Sequence, residues 1–344
     1  MKGKMCMRSL NYISLIVTKR CNAKCKMCNC HLYPTKPEEE FQIGLIDKLP
    51  FMENTTITGG EPFLRSDIEE IVEHLQGKTK RILINTNGYY TERIVKLCKK
   101  YPNVGIRVSI DGCEKTHDQI RGVPGIYQKA MKTLDEVAEI RGKHDLGIGF
   151  CVQDCNYKEL LPMFQWAESK KYEFGITVVQ NSEFFKKKDN EIKQGNEIIN
   201  ELEKLKKGYL NTKSPRKWVR AFFVTGNICM LKNQRKPLKC DAGKSSFFIT
   251  PQGNILPCND MPEEMILGNL NSNSWNEIMK SEKAQRVINI CENCQLNCWS
   301  ICNIGSVIKK KILKVGMWAV KNKCEQLCLR RNIGYDFIST ESKK

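Results

Sequence analysis

Hydrophobic positions between residues 9 and 180 alternate between two spacings. Short β-branched runs, "NYISLIVTK", "NTTITGG", "RILINTN", "VGIRVSI", "LGIGFCV" and "FGITVV", read as strands. Between most of them lie stretches with apolar residues at helical spacing: "SDIEEIVEHLQGK", "ERIVKLCKKY", "GIYQKAMKTLDEVAEI" and "NYKELLPMFQWAESKK". Strand and helix in alternation imply a parallel sheet, and six such units predict an α/β fold, a partial (β/α)6 TIM-like barrel. Barrels of this kind carry their active groups at the C-terminal ends of the strands.

The pattern changes after residue 182. Residues 183–217 are charged, helix-prone and poor in aromatics beyond their start, the signature of a connecting helix and linker. From Cys229 onward come short strands, turns and cysteines, and "SFFITPQGNILPC" predicts a hairpin turning at Pro251 to Asn254. A small, cysteine-rich α+β domain needs staples, which metal clusters supply. The expected organisation is a barrel over residues 1–182, a helical linker over 183–228, the cysteine-rich domain over 229–328 and a C-terminal tail over 329–344. No apolar run is long enough to span a membrane and no signal peptide opens the chain, so a cytoplasmic protein is expected.

Composition sharpens the picture through cysteine, with 18 in 344 residues. Without an export signal, thiols read as metal ligands or catalytic groups before they read as disulfides. Most crowd into residues 21–30 and 229–328, whereas Cys6 and Cys98 stand alone and read as small core residues. The formal charge of +18 falls if the thiols hold iron–sulfur clusters, yet the surface stays basic. It suits a phosphorylated small molecule, an acidic peptide or an anionic membrane surface, or is a solvated lysine-rich face; nucleic acid is the less expected partner.

The first crowded stretch, "CNAKCKMCNC", follows the first strand and sets Cys21, Cys25 and Cys28 at C-x3-C-x2-C. Three ligands on one loop can hold a cubane and leave one iron without a protein ligand. A zinc site would more usually recruit a fourth ligand, and His31 is nearby. "ITGGEPFL", residues 57–64, ends the second strand with two glycines, which allow a close backbone approach, and a carboxylate, Glu61, able to meet a cation.

In these residues the chain resembles the radical S-adenosylmethionine superfamily, and "VSIDG" at 108–112 with the following "THDQIRG" extends the similarity. The resemblance implies that Cys21, Cys25 and Cys28 hold a [4Fe-4S] cluster whose free iron chelates S-adenosylmethionine. Gly59, Gly60 and Glu61 would hold its methionyl end, Ser109 would contact the ribose, and Met27 would stand where an aromatic residue often packs on adenine. An electron from a donor such as flavodoxin or ferredoxin would cleave the cofactor to a 5′-deoxyadenosyl radical, which abstracts hydrogen from substrate. Cys30 lies outside this ligand set and reads as packing.

The C-terminal cysteines, Cys229, Cys240, Gly253-x4-Cys258, Cys291, Cys294, Cys298, Cys302 and Cys324, are similar to the SPASM extension of such enzymes, as is "LGNLNSNSWNEIMKSEKAQ" between them. Their middle spacing, C-x2-C-x3-C-x3-C, is two residues shorter than the usual pattern. By position, the resemblance implies two auxiliary [4Fe-4S] clusters. Cys240, Cys258 and Cys302 with Cys229 would hold one; Cys291, Cys294, Cys298 and Cys324 would hold the other.

The expected activity is that of an oxidoreductase acting on a substrate C–H bond, giving oxidation, cross-linking or epimerisation of a peptide. Dehydrogenation or epimerisation of a phosphorylated, nucleotide-linked or lipid-linked sugar is the alternative. A zinc-rich nucleic-acid-binding protein is the non-enzyme reading. Sulfatase-maturating relatives carry an aspartate directly after the G-x4-C cysteine, where this chain has Asn259 followed by Asp260; a base at Asp260, the candidate, needs a shifted loop, which makes sulfatase maturation the less expected activity. Epimerisation needs a hydrogen donor, and Cys113 is the candidate thiol, with Cys30, Cys151 and Cys155 also near strand ends. Only eight residues precede the first strand, so a peptide substrate would bind directly or through a separate recognition protein. "KKKILKVGMWAVKNK", residues 309–323, is basic and apolar together and suits either an anionic surface or a helix packed on the cysteine-rich domain.

Overall fold

The computed structural model describes residues 10–142 and 144–341, without the side chains of residues 10, 141, 263 and 329–341. Cys6, the first nine residues of the barrel segment and the end of the tail from 342 lie outside the described residues.

Six parallel strands build the first half: β1 (Leu10–Thr18), β2 (Met52–Gly59), β3 (Ile82–Thr86), β4 (Gly105–Ser109), β5 (Leu146–Val152) and β6 (Glu173–Val178). In β1, Ile13, Leu15, Ile16 and Val17 are all buried, the two-sided burial expected of a parallel strand covered on both faces. The helices α1 (Ile68–Gln76), α2 (Thr91–Lys100), α3 (Glu114–Arg121), α4 (Ile126–Arg141) and α5 (Leu160–Ser169) supply the cover. Helix α1 buries Ile68, Ile71, Val72 and Leu75, one face at helical spacing, and α2 buries Ile94, Leu97 and Cys98.

The stretch expected to link the halves forms two helices, α6 (Gly195–Asn211) and α7 (Pro215–Leu231), whose apolar faces close over β6. Tyr209 donates its hydroxyl to the Phe174 carbonyl of β6 (2.8 Å) and packs edge-on against Phe164. Gly226 in α7 leaves room for the buried indole of Trp299, because a Cβ there would stand 1.9 Å from the ring.

The C-terminal half does not begin a separate sheet. Strand β7 (Ser246–Ile249) pairs in parallel with β1, from Tyr12↔Ser246 to Leu15↔Ile249. It turns through Gly253, at φ +78°, into β8 (Asn254–Leu256), followed by β9 (Gly268–Asn269). One nine-stranded sheet results, in the order β6-β5-β4-β3-β2-β1-β7-β8-β9. Helices α8 (Trp275–Lys280), α9 (Glu282–Glu292), α10 (Ile301–Lys310) and α11 (Ile312–Glu341) complete it. No helix among the described residues is long and apolar enough to cross a membrane.

Candidate active site

The loop after β1 carries Cys21, Cys25 and Cys28 to the C-terminal rim and is fastened on three sides. On the β2 side, the Gly60 and Glu61 amides donate to the Thr18 and Arg20 carbonyls (2.9 and 2.8 Å). A Cβ on Gly59, at φ +152°, would lie 2.2 Å from the Thr18 carbonyl oxygen, and one on Gly60 would lie 2.1 Å from that of Arg20. The two glycines therefore let the cysteine loop's own backbone approach, whereas the sequence had suggested a ligand as the reason. On the α3 side, the Lys24 and Lys26 amides donate to the Arg121 and Ile120 carbonyls. Beyond β6, Asn29 donates through its amide to Phe185 and through its side chain to Lys186. Asn190 Nδ2 bridges the Met27 and Gln180 carbonyls (3.2 and 3.0 Å).

Glu61 is fully buried at the junction of β2 and β3. Its Oε1 accepts from the Phe63 amide and Thr86 Oγ1, and its Oε2 accepts from the Asn87 amide (2.7 Å). Burial pushes its pKa up to about 7 against these bonds. Counting lone pairs, Oε1 is full and Oε2 has one place left, enough for one ammonium donor. Asn87 also donates to Asn22 Oδ1 (2.8 Å), tying the end of β3 to the cysteine loop.

The thiols of Cys21, Cys25 and Cys28 lie within electrostatic reach of one another, and burial raises Cys21 to about 12 and Cys25 above the usual thiol range. No group of three or more His, Cys, Asp or Glu side chains among the described residues closes to the spacing that one metal ion requires. A larger centre such as a cubane needs ligands set wider than that. Cys30 is buried beside Cys28, with its thiol bonded there and near the Phe184 carbonyl (3.9 Å).

Behind Cys25 stands a network that the sequence did not single out. Arg121 Nη2 pairs with Asp111 Oδ2 (2.6 Å), and its Nη1 reaches Cys25 Sγ (3.7 Å). Asp111, fully buried, accepts from the Cys151 amide (2.8 Å) and donates its own amide to His117 Nδ1 (3.0 Å). Burial, with Arg121 nearby, depresses His117 to about 3, so the ring is neutral. The available signal was the i, i+4 spacing of His117 and Arg121, one helical turn apart.

Of the thiols considered as hydrogen donors, Cys113 is exposed before α3, near Thr116 Oγ1 (3.7 Å). Cys151, on β5, is the one the fold brings within electrostatic reach of Cys25 and Arg121. Ser109 ends β4 half-buried, and Met27 is half-buried with its carbonyl held by Asn190.

The C-terminal cysteines sort into neighbours and outliers. Cys240, Cys291, Cys294 and Cys298 interact electrostatically. Cys258 neighbours Cys298 and accepts from Asn303 Nδ2 (3.2 Å) and the Asp260 amide (3.4 Å). Cys302 meets Tyr12 Oη of β1 (3.6 Å). Cys229, on α7, faces Lys232, Lys206 and Glu203, and Cys324 is exposed on α11.

A cavity of about 610 Å³ opens between these cysteines and the end of β6. Val179, Gln180, Ser182, Asp260, Asn297 and Cys298 line it, together with the α7 residues Met230 and Leu231. Burial raises Asp260 to about 6, opposed by the Ser182 hydroxyl. Gln180 belongs both to this wall and to the Asn190 bridge, so cavity and first cysteine loop share a support.

Residues 15–161 match the radical SAM superfamily and residues 240–302 match SPASM, an iron–sulfur cluster-binding domain. The chain belongs to the radical SAM superfamily and carries a SPASM domain. Four-iron clusters and S-adenosylmethionine are the cofactors of this pair of domains, and the three neighbouring thiols of the first loop and the free place on Glu61 Oε2 fit them.

Among similar proteins, the Fe-coproporphyrin III synthase of Methanosarcina barkeri is 31% identical over 164 residues, 45% of this chain and 40% of the relative. The sporulation killing factor maturation protein SkfB of Bacillus subtilis is 30% identical over 132 residues, 37% of this chain and 32% of the relative. The radical SAM chain thus spans well under half the length of these curated relatives. The solved structure of anSMEcpe with bound AdoMet superposes with a TM-score of 0.63 at 14% identity, covering 94% of this chain and 98% of that one. SuiB of Streptococcus suis gives 0.63 at 15% identity, over 86% of this chain and 72% of its own. These two likenesses concern the fold.

Proposed function

We propose that this protein is a radical SAM/SPASM oxidoreductase that modifies a peptide by removing hydrogen from one of its C–H bonds. The cavity that sets Asp260 and Cys298 beside the end of β6 carries the reading. When bound, the cluster and S-adenosylmethionine supply hydrogen-atom abstraction from an unactivated carbon.

The chain's own residues do the rest. Cys21, Cys25 and Cys28 would hold the cluster, with Arg121 donating to the Cys25 sulfur. Glu61 would accept a hydrogen bond from an ammonium at its free Oε2 site, and the backbone of Gly59 and Gly60 keeps the cysteine loop against β2. Asp260, with its proton affinity raised towards neutrality, accepts a proton from substrate in the cavity. Cys240, Cys258, Cys291, Cys294 and Cys298 would hold auxiliary iron near it, which would supply an electron acceptor.

Peptide as substrate class is supported by the polar wall of Gln180, Asn181 and Asn297, which offers amide donors and acceptors to a backbone. It is also supported by fold relatives solved with peptides: anSMEcpe with the Cp18Cys peptide at a TM-score of 0.61, and SuiB with its precursor SuiA at 0.59. The test is a panel of α-deuterated peptides incubated with reduced protein and S-adenosylmethionine. Deuterium appearing in 5′-deoxyadenosine supports the reading; deuterium arriving only from a sugar panel contradicts it.

A further inference from the structure

Helix α11 is held by one face and bare on another. Val315 and Ala319 are buried, Trp318 packs edge-on against Phe222 (5.1 Å), and Lys323 Nζ donates to the Leu210 and Thr212 carbonyls (2.7 and 2.8 Å). These contacts fix which residues point out. The outward face is Ile312 (49% exposed), Leu313 (82%), Met317 (68%), Val320 (53%) and Leu327 (50%), an apolar strip at helical spacing. Soluble helices normally turn such a strip inward.

The strip's flanks are cationic. Lys309, Lys310, Lys311, Lys314 and Lys321 are exposed, and Glu325 is the one acid between residues 309 and 328. Asp241 pairs with Lys310 and Glu325 lies 3.9 Å from Lys321, which leaves the remaining flank in excess positive charge.

We infer that α11 docks this protein on an anionic membrane surface, its apolar strip among the acyl chains and its lysines at the headgroups. An apolar strip bordered by lysine is complementary to a lipid layer whose charge lies above its hydrocarbon, and each lysine near such a surface adds to the attraction. A second copy of the same helix would set these lysines against each other. Among the described side chains the strip runs for roughly 24 Å along one face, and the helix is not apolar enough to cross a membrane, so it lies in the interface.

The experiment uses the full-length, cluster-loaded protein and two kinds of vesicle, phosphatidylglycerol mixed with phosphatidylcholine, and phosphatidylcholine alone, in a sedimentation assay. Binding to the anionic vesicles is expected, weakened by 0.5 M salt, and at least about tenfold weaker in Leu313→Glu/Met317→Glu. Both side chains are mostly in solvent, and unchanged iron content and circular dichroism confirm that the variant is folded. Equal binding to neutral vesicles, no binding to either, or binding unaffected by the double substitution overturns the inference. So does a concentration-dependent dimer that the substitution dissolves while vesicles remain unbound.

Discussion

Arg121 joins the two halves of the first site: its Nη1 lies 3.7 Å from Cys25 Sγ while its Nη2 holds Asp111 at 2.6 Å. The guanidinium and the carboxylate are both buried, so the arginine is fixed by its pair and presents a charged donor to a cluster ligand. Removing one partner leaves the other buried and uncompensated. Arg121→Met is expected to cost about 3–5 kcal/mol of stability, and pairing it with Asp111→Leu should recover part of that loss. Chemical denaturation of the two variants measures this. A double variant as unstable as the sum of the singles would show that the ion pair is not what couples them.

His117 sets an acid limit. Its folded pKa, near 3, lies below the unfolded value of about 6.5, so the unfolded chain binds the extra proton between those values. The contribution is fully present above pH 6.5 and is lost as pH falls towards 3, by up to about 1.4 kcal/mol per pH unit. His117→Gln should flatten this slope in a urea titration between pH 6.5 and 4.5. An unchanged slope would place the acid sensitivity in other groups.

Gly60→Ala would drive a methyl group into the Arg20 carbonyl, 2.1 Å from the ideal Cβ position. The β2 end and the cysteine loop must then part, so iron at the first site should be lost while the barrel's far-UV circular dichroism is kept. Full iron content in this variant would contradict the backbone role assigned to the glycine.

The C-terminal thiols make a separate prediction. Cys294→Ala should remove about four irons per chain, whereas Cys229→Ala and Cys324→Ala should leave the iron content unchanged, since Cys229 faces Lys232, Lys206 and Glu203 and Cys324 is exposed. Iron loss in either of the latter would bring that helix into the ligand set.

Legibility followed the range of the physics. Each of the six barrel strands was readable because β-branched runs such as "RILINTN" carry their own signal, and the loop of Cys21, Cys25 and Cys28 was readable because its spacing is local. Helix α3, between Glu114 and Arg121, was missed: it buries only His117 and Ile120, too narrow a stripe to register as periodicity. The parallel pairing of β7 with β1 joins residues more than two hundred positions apart, which no local pattern records. Asp260 was legible by its place after Cys258, whereas the burial that raises its pKa, against the Ser182 hydroxyl, comes from the cavity wall.

The most direct test of the central claim is the production of 5′-deoxyadenosine by anaerobically reconstituted, reduced protein supplied with S-adenosylmethionine, compared with Cys25→Ala. The account predicts 5′-deoxyadenosine from the unaltered protein and none above background from the variant. Equal amounts from both, or none from the unaltered protein with its clusters in place, would contradict it.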